Sequence, residues 1–118
     1  MTILHAIGRY SKLADLDKVR ACLREGADIN WTNPDSKTQT HPGGETCLMW
    51  AVRGDWQNAR KYQVIEFLLS QPRLEVNKQD YSGAPALAYA VDAADSQAAR
   101  LILAHPGADP TIRTWAGQ

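Results

Sequence analysis

The sequence predicts an all-α solenoid of stacked helix–turn–helix units joined by β-hairpin-like loops, and three observations predict it. One closing phrase recurs: "LREGADIN" (23–30) returns loosely as "SQPRLEVN" (70–77) and as "HPGADPT" (105–111). Each echo closes or follows an amphipathic stretch, "LDKVRACL" (16–23), "YQVIEFLL" (62–69) and "SQAARLIL" (96–103), whose apolar residues keep the spacing of one helix face. Upstream of each lies a shorter stretch of small and apolar residues, "TILHAIG" (2–8), "GETCLMWAV" (44–52) and "GAPALAYAV" (83–91). Recurrence at a period of a few tens of residues is the signature of a repeat stack, in which each unit buries its apolar face only against its neighbours.

The elements follow in order. In unit one, Thr2 is an N-cap type ahead of the first helix, and Leu16, Val19 and Leu23 recur at i, i+3 and i+7 in the second. A polar, Pro- and Gly-bearing extension, "WTNPDSKTQTHPGG" (31–44), then leads to unit two, where Thr46 is the N-cap type and Trp50 takes a core position. An insert, "GDWQNARKY" (54–62), separates the two helices of unit two, and a smaller one, "RYSKL" (9–13), those of unit one. In the second helix of unit two the apolar face is Val64, Ile65, Leu68 and Leu69; in unit three it is Ala98, Ala99, Ile102 and Leu103. Pro85 suits the first turn of unit three's first helix, where its missing N–H is not needed. Alanines at Ala6, Ala51 and Ala90 let helices approach closely. Asp15 and Asp17, and Asp92 and Asp95, read as acids at the starts of second helices, satisfying orphan N–H groups, rather than as catalytic pairs. Glu75 and Asp109 stand 34 apart and Asp28 and Glu75 stand 47 apart, and the two longer inserts account for the difference. The units are expected at about 1–33, 44–80 and 81–113 of one domain, with 114–118 opening a fourth.

Composition excludes several classes of function. Thirteen Lys plus Arg balance thirteen Asp plus Glu, so the basic excess of a phosphate-tracking nucleic-acid binder is missing. No apolar run is long enough to span a bilayer, and the N-terminus has no secretory leader, so an intracellular, cytoplasmic protein without membrane contact is expected. Cys22 and Cys47 lack CxxC spacing and sit in apolar helical patterns, as buried free thiols in a reducing compartment would. His5, His41 and His105 fall in three different units without the spacings that put two metal ligands on one face. No GxxxxGK[ST], GxSxG or paired nucleophile and base is present, so neither catalysis nor a cofactor or metal is expected.

The repeat resembles the ankyrin repeat, whose signature T-P-L-H-x-A stands here as "TILHAI" (2–7), "TCLMWA" (46–51) and "PALAYA" (85–90), with "GADIN", "LEVN" and "GADPT" matching the closing phrase. The signature histidine survives only as His5; Met49 and Ala88 replace it, so its capping hydrogen bond should be lost and the turns of units two and three looser. The resemblance implies a non-enzymatic module that binds another protein through the concave face formed by first helices and hairpin tips. Carried over by position, the first-helix candidates are Arg9 and Tyr10 in unit one, Glu45 and Arg53 in unit two, and Tyr81, Ser82, Ala84, Asp92 and Ala93 in unit three. Trp31, Gln79, Arg113 and Trp115 are the hairpin-tip candidates, and Trp56 lies in the insert of unit two. Trp, Tyr and Arg carry much of measured interface energy, although an aromatic at a hairpin tip often packs on the neighbouring hairpin instead. The long loop 31–43 is either a second contact or disordered. A chain that is a monomer by itself is expected. Two narrower readings stand beside this one: an immunity-type protein or enzyme inhibitor acting by tight complex formation, and a piece of a larger repeat array.

Overall fold

The computed structural model describes residues 11, 14–34, 43–54 and 59–112. Five helices form among them: α1 (Leu16–Arg24), α2 (Cys47–Arg53), α3 (Ala59–Leu69), α4 (Ala86–Asp92) and α5 (Ser96–Leu103). They lie in two layers. First helices α2 and α4 pack on each other, second helices α1, α3 and α5 pack in series, and the layers join within units through α2 on α3 and α4 on α5.

Between the layers runs one apolar core, fed by Val19 and Cys22 from α1, Leu48, Met49, Ala51 and Val52 from α2, and Val64, Ile65 and Leu68 from α3. Ala86 and Ala90 of α4 and Ala98 and Ile102 of α5 complete it. Ala51 and Ala90 are both buried, as helices in close approach require. Leu16 and Leu23 flank the core, and the centre of α1's stripe is Val19 with Cys22. Cys47 is buried with its thiol donating to the Ile29 carbonyl at 3.3 Å, and burial pushes that thiol up to about 12.

Local chemistry sets the helix ends. Asp15 and Asp95 are N-caps of α1 and α5, accepting from the Lys18 and Ala98 N–H groups at 3.2 and 3.0 Å. Asp17 lies in the first turn of α1. Asp92 instead ends α4 and is exposed, because the turn through Ala93 and Ala94 intervenes before the next cap. The expected looser turn of unit two does not occur. Thr46 Oγ1 accepts from the Met49 N–H, and Met49 Sδ accepts from the Thr46 N–H, both at 3.3 Å, so a thioether closes the capping box. In unit three Pro85 is the N-cap residue, one position earlier than expected, and no side chain caps α4.

The insert of unit two is shorter than its sequence suggests. Residues 59–62, "ARKY", form the first turn of α3, which runs for 11 residues against nine in α1 and eight in α5. That extra length carries Lys61 and Tyr62 to the start of α5. Lys61 Nζ stands 2.8 Å from Asp95 Oδ2, with both side chains buried, and the Tyr62 hydroxyl donates to Asp95 Oδ1 at 3.0 Å.

Repeated asparagines tie the closing phrases together. Asn30 Nδ2 donates to the Arg73 carbonyl and its Oδ1 accepts from the Glu75 N–H, at 2.7 and 2.8 Å. Asn77 does the same one unit later with Gly107 and Asp109, at the same two distances. Each rung replaces backbone pairing that these short tails lack. Asn77→Ala removes both bonds of one rung and is expected to lower the unfolding free energy by about 1–3 kcal/mol in urea denaturation, since each net hydrogen bond contributes about 0.5–1.5 kcal/mol. An unchanged midpoint would show the rung to be passive.

Candidate protein-binding surface

The first helices and the hairpin 78–84 bring one group of side chains together. Arg53 at the end of α2 places its guanidinium 5.7 Å from the Trp50 ring centroid and 5.6 Å from that of Tyr89 on α4. One cation thus bridges the aromatic rings of two successive units, within cation–π range of each. Behind the rings are acids already engaged. Asp80 accepts from the Ser82 N–H and hydroxyl, from the Ala84 N–H and from the Tyr89 hydroxyl. Burial, then the Asp80 carboxylate, raises the Tyr89 phenol far above its ordinary value, so it remains a neutral donor.

Next to Asp80 in the chain stands Tyr81, 60% exposed at the hairpin tip. Its N–H donates to the Gly43 carbonyl at 2.9 Å, which ties the tip of unit three to the base of the long loop of unit one. Gln79 is exposed and donates to the Gly83 carbonyl at 2.6 Å, stiffening the same turn. Asp92 and Ala93 are exposed at the far end of α4.

Other candidates fall elsewhere. Glu45 is fully buried, which corrects its assignment to an exposed contact position. Its carboxylate accepts from Asn33 Nδ2 and the Gly43 N–H, both at 3.3 Å, and its carbonyl accepts from the Asn33 N–H at 3.0 Å. It is the clasp that closes the base of the long loop. Ser82 is half-buried with its hydroxyl spent on Asp80, and Ala84 is buried. Trp31 is half-buried. Arg9, Tyr10, Trp56, Arg113 and Trp115, like His5 and most of the long loop, lie outside the described residues.

Trp50 and Tyr89 are the residues that sequence reasoning missed. Trp50 was assigned to the core and is half-buried, with Arg53 over its ring. Both occupy the x position of T-P-L-H-x-A, one step before the buried Ala51 and Ala90. That position is rotated off the core by about 100° of helix, and the rotation is the signal that would have found them.

The chemistry available here is that of contact. Among the described residues no group of three or more His, Cys, Asp or Glu is placed to hold a metal ion, and no helix is long and apolar enough to cross a membrane. A cleft of about 400 Å³ between α1 and α3 is polar, lined by Asp15, Asp17, Arg60 and Gln63 among others, but Asp15 is committed to its cap.

The family comparison agrees with the architecture. A model described as ankyrin repeats, in three copies, matches residues 3–114. Helix pairs stacked in two layers are the helical solenoid that this match implies, and the chain belongs to the ankyrin repeat family.

Proposed function

We propose that this chain is a non-enzymatic interaction module that holds a protein partner on the face formed by α2, α4 and the hairpin tips. Ankyrin repeats generally mediate protein–protein interaction; the specific surface rests on one observation. Arg53 lies within cation–π range of both Trp50 and Tyr89, and the exposed Tyr81 follows Asp80, which accepts from the Tyr89 hydroxyl, so the first helices and the adjoining hairpin carry three aromatics and an arginine, the residue types that dominate interface energetics. These side chains are ordered before any partner arrives: Arg53 by the rings, Tyr89 by Asp80, and Tyr81 through its backbone bond to Gly43. Preorganisation of this kind reduces the side-chain entropy lost on binding. The buried free thiols suit a reducing compartment.

The test compares partner capture by the wild type, by an Arg53→Ala, Tyr81→Ala variant, and by an outer-layer control, Arg20→Ala, Glu66→Ala, all checked for helix content and melting temperature. The concave-face variant is expected to lose at least about tenfold in affinity, since two hot-spot truncations of about 1–2 kcal/mol each are involved. Equal binding by that variant, or loss only in the control, would move the site away from the concave face.

A further inference from the structure

Unit three closes its hairpin with a carboxylate that reaches further than the one in unit two. Both oxygens of Glu45 are spent on the base of the long loop, one on Asn33 Nδ2 and the other on the Gly43 N–H. The two oxygens of Asp80 are divided instead. Oδ1 takes the whole turn, accepting from the Ser82 N–H and the Ala84 N–H at 2.9 Å and from the Ser82 hydroxyl at 2.6 Å. Oδ2 is left for the helix and accepts from the Tyr89 hydroxyl.

This division has two consequences. Tyr81 follows Asp80 directly, so the turn that Oδ1 draws closed sets the direction in which that exposed side chain leaves the tip. Helix α4 has no capping side chain, and the Tyr89 hydroxyl ties it to the hairpin in place of one. With its hydroxyl fixed at one end and its Cβ at the other, the Tyr89 ring keeps the position that puts its centroid 5.6 Å from the Arg53 guanidinium of unit two. Asp80 is only 5% exposed, so water competes little for the carboxylate, and hydrogen bonds to an ionised acceptor are the strong ones.

We propose that Asp80 is the positioning residue of the concave surface, presetting the Tyr81 tip through one oxygen and, through the other oxygen and the Tyr89 ring, the Arg53 cation of the neighbouring unit. Its effect on a partner rests on the concave-face reading above, whereas its effect on Arg53 is a property of the free chain.

Two measurements on the full chain keep these apart. In the free chain the NMR signals of the Arg53 side chain carry the ring-current shift of Tyr89. Tyr89→Phe, which keeps the ring and every Oδ1 bond of the turn, is expected to move them toward those of an unrestrained arginine. Asp80→Ala is expected to move them the same way, and adding Tyr89→Phe to it to move them no further, since the hydroxyl then has no acceptor. In partner capture Tyr89→Phe is expected to weaken affinity about two- to tenfold, the range that ordering one long side chain accounts for. It is expected to have no effect in an Arg53→Ala background. Asp80→Ala is expected to cost more than Tyr89→Phe, because it also releases the turn beneath Tyr81.

Arg53 signals indifferent to Tyr89→Phe overturn the proposal whatever the partner does. Affinity indifferent to Tyr89→Phe, where the Arg53→Ala, Tyr81→Ala variant loses it, overturns the proposal and leaves the concave-face reading standing. A Tyr89→Phe effect that persists without Arg53 overturns the route through the ring, and equal losses in Asp80→Ala and Tyr89→Phe overturn the Tyr81 half. Capture that survives Arg53→Ala, Tyr81→Ala overturns the concave-face reading and the positioning role with it, even where the Arg53 signals move. Should Asp80→Ala lose its helix content, Tyr89→Phe decides.

Discussion

Replacing Lys61 with alanine is expected to lower the unfolding free energy by about 3–5 kcal/mol, the range found when one partner of a buried ion pair is removed. Lys61 and Asp95 are 1% and 3% exposed, so truncating the lysine leaves a carboxylate in the core with only the Tyr62 hydroxyl and the Ala98 N–H for compensation. The pair itself need not stabilise the fold relative to apolar residues. Lys61→Met with Asp95→Asn, which keeps an N-cap side chain and buries no charge, is expected to cost much less than Lys61→Ala alone. What the pair supplies is register: it fixes the first turn of α3 against the start of α5. Burial works against the ionised form of Asp95, but Lys61, the Ala98 N–H and the Tyr62 hydroxyl outweigh it and hold the carboxyl below its usual value. A carboxyl whose pKa is lower folded than unfolded contributes stability above its unfolded value, about 3.9, and loses that contribution as pH falls through the lowered folded value. Urea midpoints from pH 7 to pH 3 should therefore fall more steeply below about pH 4 in the wild type than in Asp95→Asn. A Lys61→Ala cost below about 1 kcal/mol would show that water reaches the pair.

Why the sequence shows some of this and hides the rest follows from how far apart the cooperating residues are. The second helices were legible because a helix face repeats within eight residues, and the Asp15 and Asp95 caps because a cap and its N–H stand three apart. Thr46 was legible for the same reason, but its partner was not: a methionine is not a capping-box residue by type, and only the fold shows its sulfur at the Thr46 N–H. Lys61 was read into an insert because Arg60, Lys61 and Gln63 mask the helical pattern at the start of α3. Its burial depends on Asp95, 34 residues on, which no local window contains. Glu45 failed in the same way. An acid just ahead of a helix reads as exposed, and what draws it inward is Asn33 across the long loop. In the candidate binding row, Tyr81 and Arg53 were found by type and position. Their companions Trp50 and Tyr89 were not, because an aromatic inside an apolar helical stretch reads as core by its type, although its place one step before a buried alanine rotates it off the core.

The second large effect is expected at Gly44, where alanine should cost about 2–4 kcal/mol. Gly44 has φ +77°, and a side chain there incurs about 1–2 kcal/mol from the left-handed backbone alone. A β-carbon would also lie 2.6 Å from Tyr81 Cδ1 and 2.9 Å from the Tyr81 backbone nitrogen. The exposed ring can swing away; the nitrogen cannot without breaking its bond to the Gly43 carbonyl. Relief must therefore come from separating the hairpin of unit three from the base of the long loop. Gly26 supplies the control: it has φ +97° and nothing within 4 Å of a built β-carbon, so Gly26→Ala carries the backbone cost without the clash. The excess of Gly44→Ala over Gly26→Ala in urea denaturation measures how firmly the two hairpins are joined, and equal costs would mean that Tyr81 is not held there. Because the same junction aims Tyr81, Gly44→Ala is also expected to weaken partner capture toward the level of the Arg53→Ala, Tyr81→Ala variant while Gly26→Ala leaves it unchanged. Stability lost with capture retained would separate the junction's structural role from the binding row and leave Tyr81 outside the site.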